Sequence, residues 1–244
     1  MKKLASFGWI LLLLPVLSYA GTKSILNKIS STESRDTESR NVAGFHSISS
    51  GGSFEVYITM SNKESLRLEG DKEQLENVQT KVENGVLKIQ YKKSTYFSLR
   101  QTKKVKVFIT AKELTTIGLS GSGNISVTGA LKTGTVSASV SGSGHISFAA
   151  KVNHMNATVS GSGGIKANGS ATSATITVSG SGTFEGQDLH SQTTEVKISG
   201  SGWVKIYAEK SINAKISGSG NLYYSGNASV NLKKSGSGSV SKIQ

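Results

Sequence analysis

Seven copies of Ser-Gly-Ser-Gly, opening at Ser120, Ser141, Ser160, Ser179, Ser199, Ser217 and Ser235, follow one another at intervals of 21, 19, 19, 20, 18 and 18 residues. So regular a period marks a stack of similar units, none of which buries its apolar face alone. Apolar residues alternate on both sides of each copy, as in Val196-x-Ile198 and Val204-x-Ile206. A period of two is that of a strand, so the units are rungs of strand. The expected fold is an all-β parallel β-helix, or solenoid, with rungs of about 20 residues. Parallel crossovers predict a right-handed coil.

Aligning the copies defines columns. Two residues before the motif come Ala138, Ala157, Ile176, Val196 and Ala214, with Ile117 in the first copy. Immediately before it come Leu119, Val140, Val159, Val178, Ile198 and Ile216. Two residues after it come Ile125, Ile146, Ile165, Phe184, Val204, Leu222 and Val240. Stacked, these columns form an apolar interior, with the motif glycines on the inward parity and the serines outward. Glycine supplies the positive φ that tight bends require, and further bends are expected near Gly129, Gly169, Gly186 and Gly226. At a strand spacing of ~4.8 Å, seven rungs make a rod on the order of 30 Å long. Lys234 replaces an apolar residue at the seventh copy, as befits a terminal rung.

Upstream, residues 1–20 read as a signal peptide: Lys2 and Lys3, an apolar core from Ile10 to Leu14 with Val16 and Leu17, then Ser18-Tyr19-Ala20. The apolar run is shorter than a membrane span needs, and no later segment supplies one. Residues 21–41 are polar and read as a flexible leader. Residues 42–113 are expected to form an irregular β-rich cap. Its strands are marked by Phe54-x-Val56-x-Ile58, Leu66-x-Leu68, the Val86, Lys88, Tyr91 series and Val105-x-Val107-x-Ile109, with a turn at Asn84-Gly85. A short helix over Lys72 to Val78 is expected, capped by Asp71. Residues 114–244 hold the repeats.

This pattern resembles the head GIN domain family, also described as putative auto-transporter adhesins. The resemblance rests on the stretch from Phe54 through Gly70-Asp71, Asn84-Gly85 and Leu114 to the Ser-Gly-Ser-Gly series, and covers about residues 42–244. It implies an exported β-helix with a part in adhesion. After the last rung the sequence ends at Gln244 with no amphipathic barrel strands, so a complete autotransporter is not expected.

The chemistry-bearing residues are sparse. With no Cys, thiol nucleophiles, disulfides and thiolate metal sites are excluded. His46, His145, His154 and His190 lack ligand spacing, and no phosphate-binding loop occurs. No metal, cofactor or catalytic residue is assigned. After Leu114 the acidic residues are Glu185, Asp188, Glu195 and Glu209; a glycosidase needs two carboxylates across one cleft, and Glu185 with Asp188 is better read as a surface turn. Motif serines repeated in seven equivalent copies without an adjacent base form a ladder, not a nucleophile.

Removal of residues 1–20 leaves 26 basic against 15 acidic residues, a net charge of +11. The excess gathers at Lys92, Lys93, Arg100, Lys103, Lys104, Lys106 and Lys112. These read as a solvated face that blunts strand edges, with attraction to acidic cell-surface polymers as the alternative. Four Arg and no recognition motif argue against specific nucleic-acid binding.

The leading expectation is a non-catalytic exported module for surface or matrix interaction, with a glycan, acidic polymer or protein as partner. A polysaccharide-active β-helix enzyme is the alternative by fold analogy; a hydroxyl grid for ice or crystals is a third. The outward position after the motif varies through Asn124, His145, Gly164, Thr183, Trp203, Asn221 and Ser239. Trp203, with Tyr223 diagonal to it on the next rung, is the candidate partner-binding patch. One column further, Lys166, Glu185 and Lys205 are expected to stack as a charge ladder.

Overall fold

The computed structural model describes residues 36–92 and 104–244, which form the expected all-β solenoid with one short helix. The expected signal peptide, residues 21–35 of the leader, and Lys93, Arg100 and Lys103 of the basic segment lie outside the described residues. The N-terminal strands are β1 (Asp36–Arg40), β2 (Ser47–Gly52), β3 (Glu55–Met60) and β4 (Ser65–Gly70), followed by α1 (Lys72–Asn77), β5 (Val78–Glu83), β6 (Val86–Tyr91) and β7 (Lys106–Ala111). The repeats give β8 (Thr116–Gly121), β9 (Asn124–Leu131), β10 (Thr135–Gly142), β11 (His145–Gly161), β12 (Gly164–Gly180) and β13 (Thr183–Gly200). They continue as β14 (Trp203–Gly218), β15 (Asn221–Ser225), β16 (Ser229–Ser235) and β17 (Ser239–Lys242).

Every motif stacks on the one before it. Val140 pairs with Val159, Val159 with Val178, and Val178 with Ile198, and the motif residues follow in register. These residues, like Ile146, Ile165, Phe184 and Val204, are almost wholly buried. Each such side chain contributes about 1.5–3 kcal/mol of transfer free energy.

The two motif glycines do different work, which the single inward parity expected for both does not capture. The first is solvent-facing or half-exposed and bends the chain: Gly142 has φ +118°. Its carbonyl oxygen accepts hydrogen bonds from the next rung's Ser162 N–H (3.0 Å) and Gly163 N–H (2.9 Å). The second glycine is buried against the previous rung, leaving no room for a side chain. Gly129, Gly169 and Gly226 have the positive φ expected at bends, whereas Gly186 does not. A methyl at Gly186 would lie 2.5 Å from the Phe184 ring, so this glycine makes room for the largest side chain of its column.

The N-terminal region is stitched into the stack out of chain order. β2 and β3 pair in parallel with β8 and β9, extending the solenoid below the first motif. Beneath them, also in parallel, lie β6 and β7. Antiparallel strands finish this end: β5 on β6, and β4 with β1 on β7.

Three local expectations change. Asp36–Arg40, placed in the leader by its polarity, forms β1 by antiparallel pairing with β4, and Arg40 anchors its end by donating to the carbonyls of Val78 (2.6 Å) and Leu75 (2.9 Å) and to Thr80 Oγ1. β6 buries Leu87 and Ile89 instead of the opposite parity of Val86 and Lys88. Asp71 precedes α1, but its side chain makes no capping bond; its backbone carbonyl accepts from Gln74 and Leu75 N–H instead. The turn at Asn84-Gly85 is as expected, with both residues at positive φ. At the other end Lys234 is exposed on the terminal rung, paired with the buried Ile216.

Candidate interaction surface

Alternation turns every second residue after the motif outward, and the register aligns these residues across rungs. The first outward column runs Asn124, His145, Gly164, Thr183, Trp203, Asn221 and Ser239, each paired with the next. The second runs Phe108, Tyr57, Ser126, Ser147, Lys166, Glu185, Lys205, Tyr223 and Ser241. Trp203 and Tyr223 are therefore diagonal neighbours on adjacent rungs.

What joins them is Lys205, two residues from Trp203 and directly paired with Tyr223. Its Nζ lies 5.0 Å from the Trp203 ring centroid and 6.0 Å from that of Tyr223. Both aromatics are half-buried, not fully exposed. Toward the C-terminal end of the stack, Asn221 Oδ1 accepts from Ser239 N–H (3.1 Å) and Ser239 Oγ (2.8 Å), tying the terminal rung to the one bearing Tyr223.

Glu185 pairs in register with both Lys166 and Lys205, as the column predicts. Among the described residues no ion pair forms there, and the Lys205 ammonium lies against the aromatic rings instead. Glu185 and Asp188 are both exposed on β13, either side of Gly186 where the pairing shifts.

A second aromatic cluster stands on the same column about 24 Å away, five rung spacings at ~4.8 Å each. Tyr57 stacks on Phe108 with centroids 5.3 Å apart, and the Arg67 guanidinium covers the Phe108 ring at 4.3 Å. Partial burial, with a hydrogen bond donated to Glu55 Oε2 (3.2 Å), raises the Tyr57 hydroxyl pKa. Sequence reading missed this cluster because Tyr57 and Phe108 meet only through the out-of-order stacking of β3 on β7.

The larger recesses are open to solvent. One of about 930 Å³ lies by β1, α1 and β5 around Arg40, whose guanidinium holds the Glu38 carboxyl below its ordinary pKa. Another, of about 590 Å³, has His190 tilted on Tyr207 at 4.4 Å, with Ser191 nearby. Ser191 is buried and donates to the Tyr207 carbonyl (2.7 Å) while sharing a 2.7 Å bond with Thr194, which makes it a strut. Tyr207 donates to Glu209, which raises the phenol pKa. Among the described residues no cluster of His and carboxylates is arranged to hold a metal ion, and no helix is long and apolar enough to cross a membrane.

A family model described as "Putative auto-transporter adhesin, head GIN domain" matches residues 44–228. A crystal structure of a putative adhesin from Bacteroides fragilis is similar at 26% identity and TM-score 0.79, covering 87% of this chain and 98% of that one. A putative lipid binding protein from Parabacteroides distasonis gives 23% identity and TM-score 0.70, again over 87% and 98% of the two chains. A putative adhesin from Parabacteroides merdae gives 20% and 0.68 over the same shares. The last two likenesses concern the fold alone. No curated protein matches the sequence.

Proposed function

The chain belongs to the head GIN domain family of putative auto-transporter adhesins, and from that membership we propose an exported, non-catalytic module that attaches to a cell-surface or matrix glycan through Trp203 and Tyr223. The observation that carries this reading is the Lys205 ammonium set against both rings on a rigid strand face. A cation–π contact at a solvent-accessible site is worth only about 0.5–1 kcal/mol. A ligand therefore displaces Lys205 at small cost and gains two ring faces with a cation beside them. Sugar C–H faces stack on the rings, while the ammonium serves hydroxyl or carboxylate groups. Strands on both flanks hold the patch in place, so little ordering entropy is lost on binding.

The test is a glycan array probed with the purified chain and with Trp203→Ala, the fold of each checked by circular dichroism. Selective binding by the first and loss by the second is the expected result. Equal binding by both removes the patch, and release of new reducing ends from a bound polysaccharide removes the non-catalytic reading.

A further inference from the structure

Across the Ser-Gly-Ser-Gly bend from Trp203, a different outward column runs the length of the solenoid. It reads Lys81, Lys88, Ser49, Gly118, Ser139, Thr158, Thr177, Lys197, Lys215 and Lys233, each residue paired with the next. Three lysines thus stand directly above one another on successive rungs, ~4.8 Å apart at the backbone. Like charges opposite one another destabilise a sheet. Edge protection explains Lys233 on β16, but not Lys197 two rungs inside the stack.

The other end of the same column shows how the fold neutralises such a pair. Lys81 and Lys88 both bind Glu83, at 2.7 and 2.6 Å. At the β13–β16 end only the first lysine is treated this way: Lys197 binds Glu195 at 2.8 Å. The positions matching Glu195 on the next two rungs are Asn213 and Asn231. Lys215 and Lys233 therefore have no carboxylate partner among the described residues. Asn231 Nδ2 donates to Asn213 Oδ1 (3.4 Å), and a recess of about 230 Å³ runs along these side chains. On the other flank stand the exposed hydroxyls of Ser199, Ser217 and Ser235.

We propose that the Lys197–Lys215–Lys233 stripe, with its flanking Asn and Ser, binds a linear acidic polysaccharide laid along the solenoid axis. Carboxylate or sulfate groups on the polymer supply the counter-charge the column lacks, and the amide and hydroxyl rows bind sugar hydroxyls. Single-stranded nucleic acid fits less well, because its bases need aromatic platforms and the stripe has none. A lipid surface needs apolar groups to insert, and the stripe is polar throughout. The stripe is independent of the Trp203 patch, so either site can fail without the other.

The experiment measures binding of the full chain to immobilised polygalacturonate and dextran sulfate, with neutral dextran, oligo(dT) and phosphatidylglycerol vesicles alongside. Two double variants remove equal charge from the two ends of one column: Lys215→Gln with Lys233→Gln, and Lys81→Gln with Lys88→Gln. The expected result is saturable, salt-sensitive binding to at least one acidic polysaccharide and none to dextran, weakened about tenfold or more by the first double variant and little by the second. The first variant is also expected to melt no lower than the parent, because it relieves repulsion. Absence of binding to both acidic polysaccharides overturns the proposal. So do equal losses in the two variants, which mark a net-charge effect, or tighter binding to oligo(dT) or the vesicles.

Discussion

A methyl group on Gly163 would lie 2.3 Å from the carbonyl oxygen of Gly144 on the preceding rung, closer than any real carbon–oxygen contact. The obstacle is backbone, so relief requires the rungs to part. We expect Gly163→Ala to cost more than about 2 kcal/mol, while Gly134→Ala, with open space around it, stays within about 1 kcal/mol of the parent. Urea denaturation midpoints check both; equal midpoints would contradict the close stacking. At this scale the sequence shows which residues share a column, since alternation and period alone place Trp203 diagonal to Tyr223. It does not show where a flexible side chain ends. Register puts Glu185 between Lys166 and Lys205, yet Lys205 leaves the carboxylate for two rings, a choice made by side-chain conformation and not by the backbone pattern.

The β5–β6 hairpin shows how charge is managed within an element. Hydrogen bonds from Lys81 and then Lys88 bring the Glu83 pKa from 4.5 down to about 2. A carboxyl with a depressed folded pKa adds stability above its unfolded pKa, and that contribution disappears as pH falls from about 4.5 through about 2. The pair is open to solvent, so the effect is small and screened by salt. An NMR titration of the Glu83 carboxyl should give a midpoint well below 4.5 that moves up in Lys81→Gln; a midpoint at 4.5 in the parent would contradict the bridge. The Asn84-Gly85 turn was legible because two positive-φ residues in sequence dictate it. The β6 parity was not, because Val86, Lys88 and Tyr91 follow no single alternation. The burial of Leu87 and Ile89 is set by the strands stacked on β6.

Over the whole molecule, one continuous apolar column system runs from the N-terminal cap to the last rungs, so a charge placed within it has no water and no partner. Val178, fully buried between Val159 and Ile198, is the most direct place to insert one. Val178→Asp is expected to remove cooperative unfolding or cost upwards of about 4 kcal/mol, read by thermal or denaturant melts. A cooperative transition near that of the parent would contradict the inward assignment. The motif rungs were legible because each repeats the last at a nearly fixed interval. The N-terminal rungs were not, because β2 and β3 sit between β6 and β7 on one side and β8 and β9 on the other, so spatial neighbours are distant and out of order in the chain. The aromatic pair Tyr57 and Phe108 was hidden for the same reason.

That rigid stack bears on function by holding surface side chains at fixed spacing, and the proposed adhesive contacts are Trp203 and Tyr223. The decisive measurement is the retention, under flow, of beads carrying the full chain on a glycan surface selected on the array. Trp203→Ala with Tyr223→Ala is predicted to reduce retention about tenfold or more, as loss of a binding hot spot does, while Tyr57→Ala at the far end of the same face leaves it unchanged. Undiminished retention of the double variant, with parent-like circular dichroism and melting, would place adhesion away from Trp203 and Tyr223.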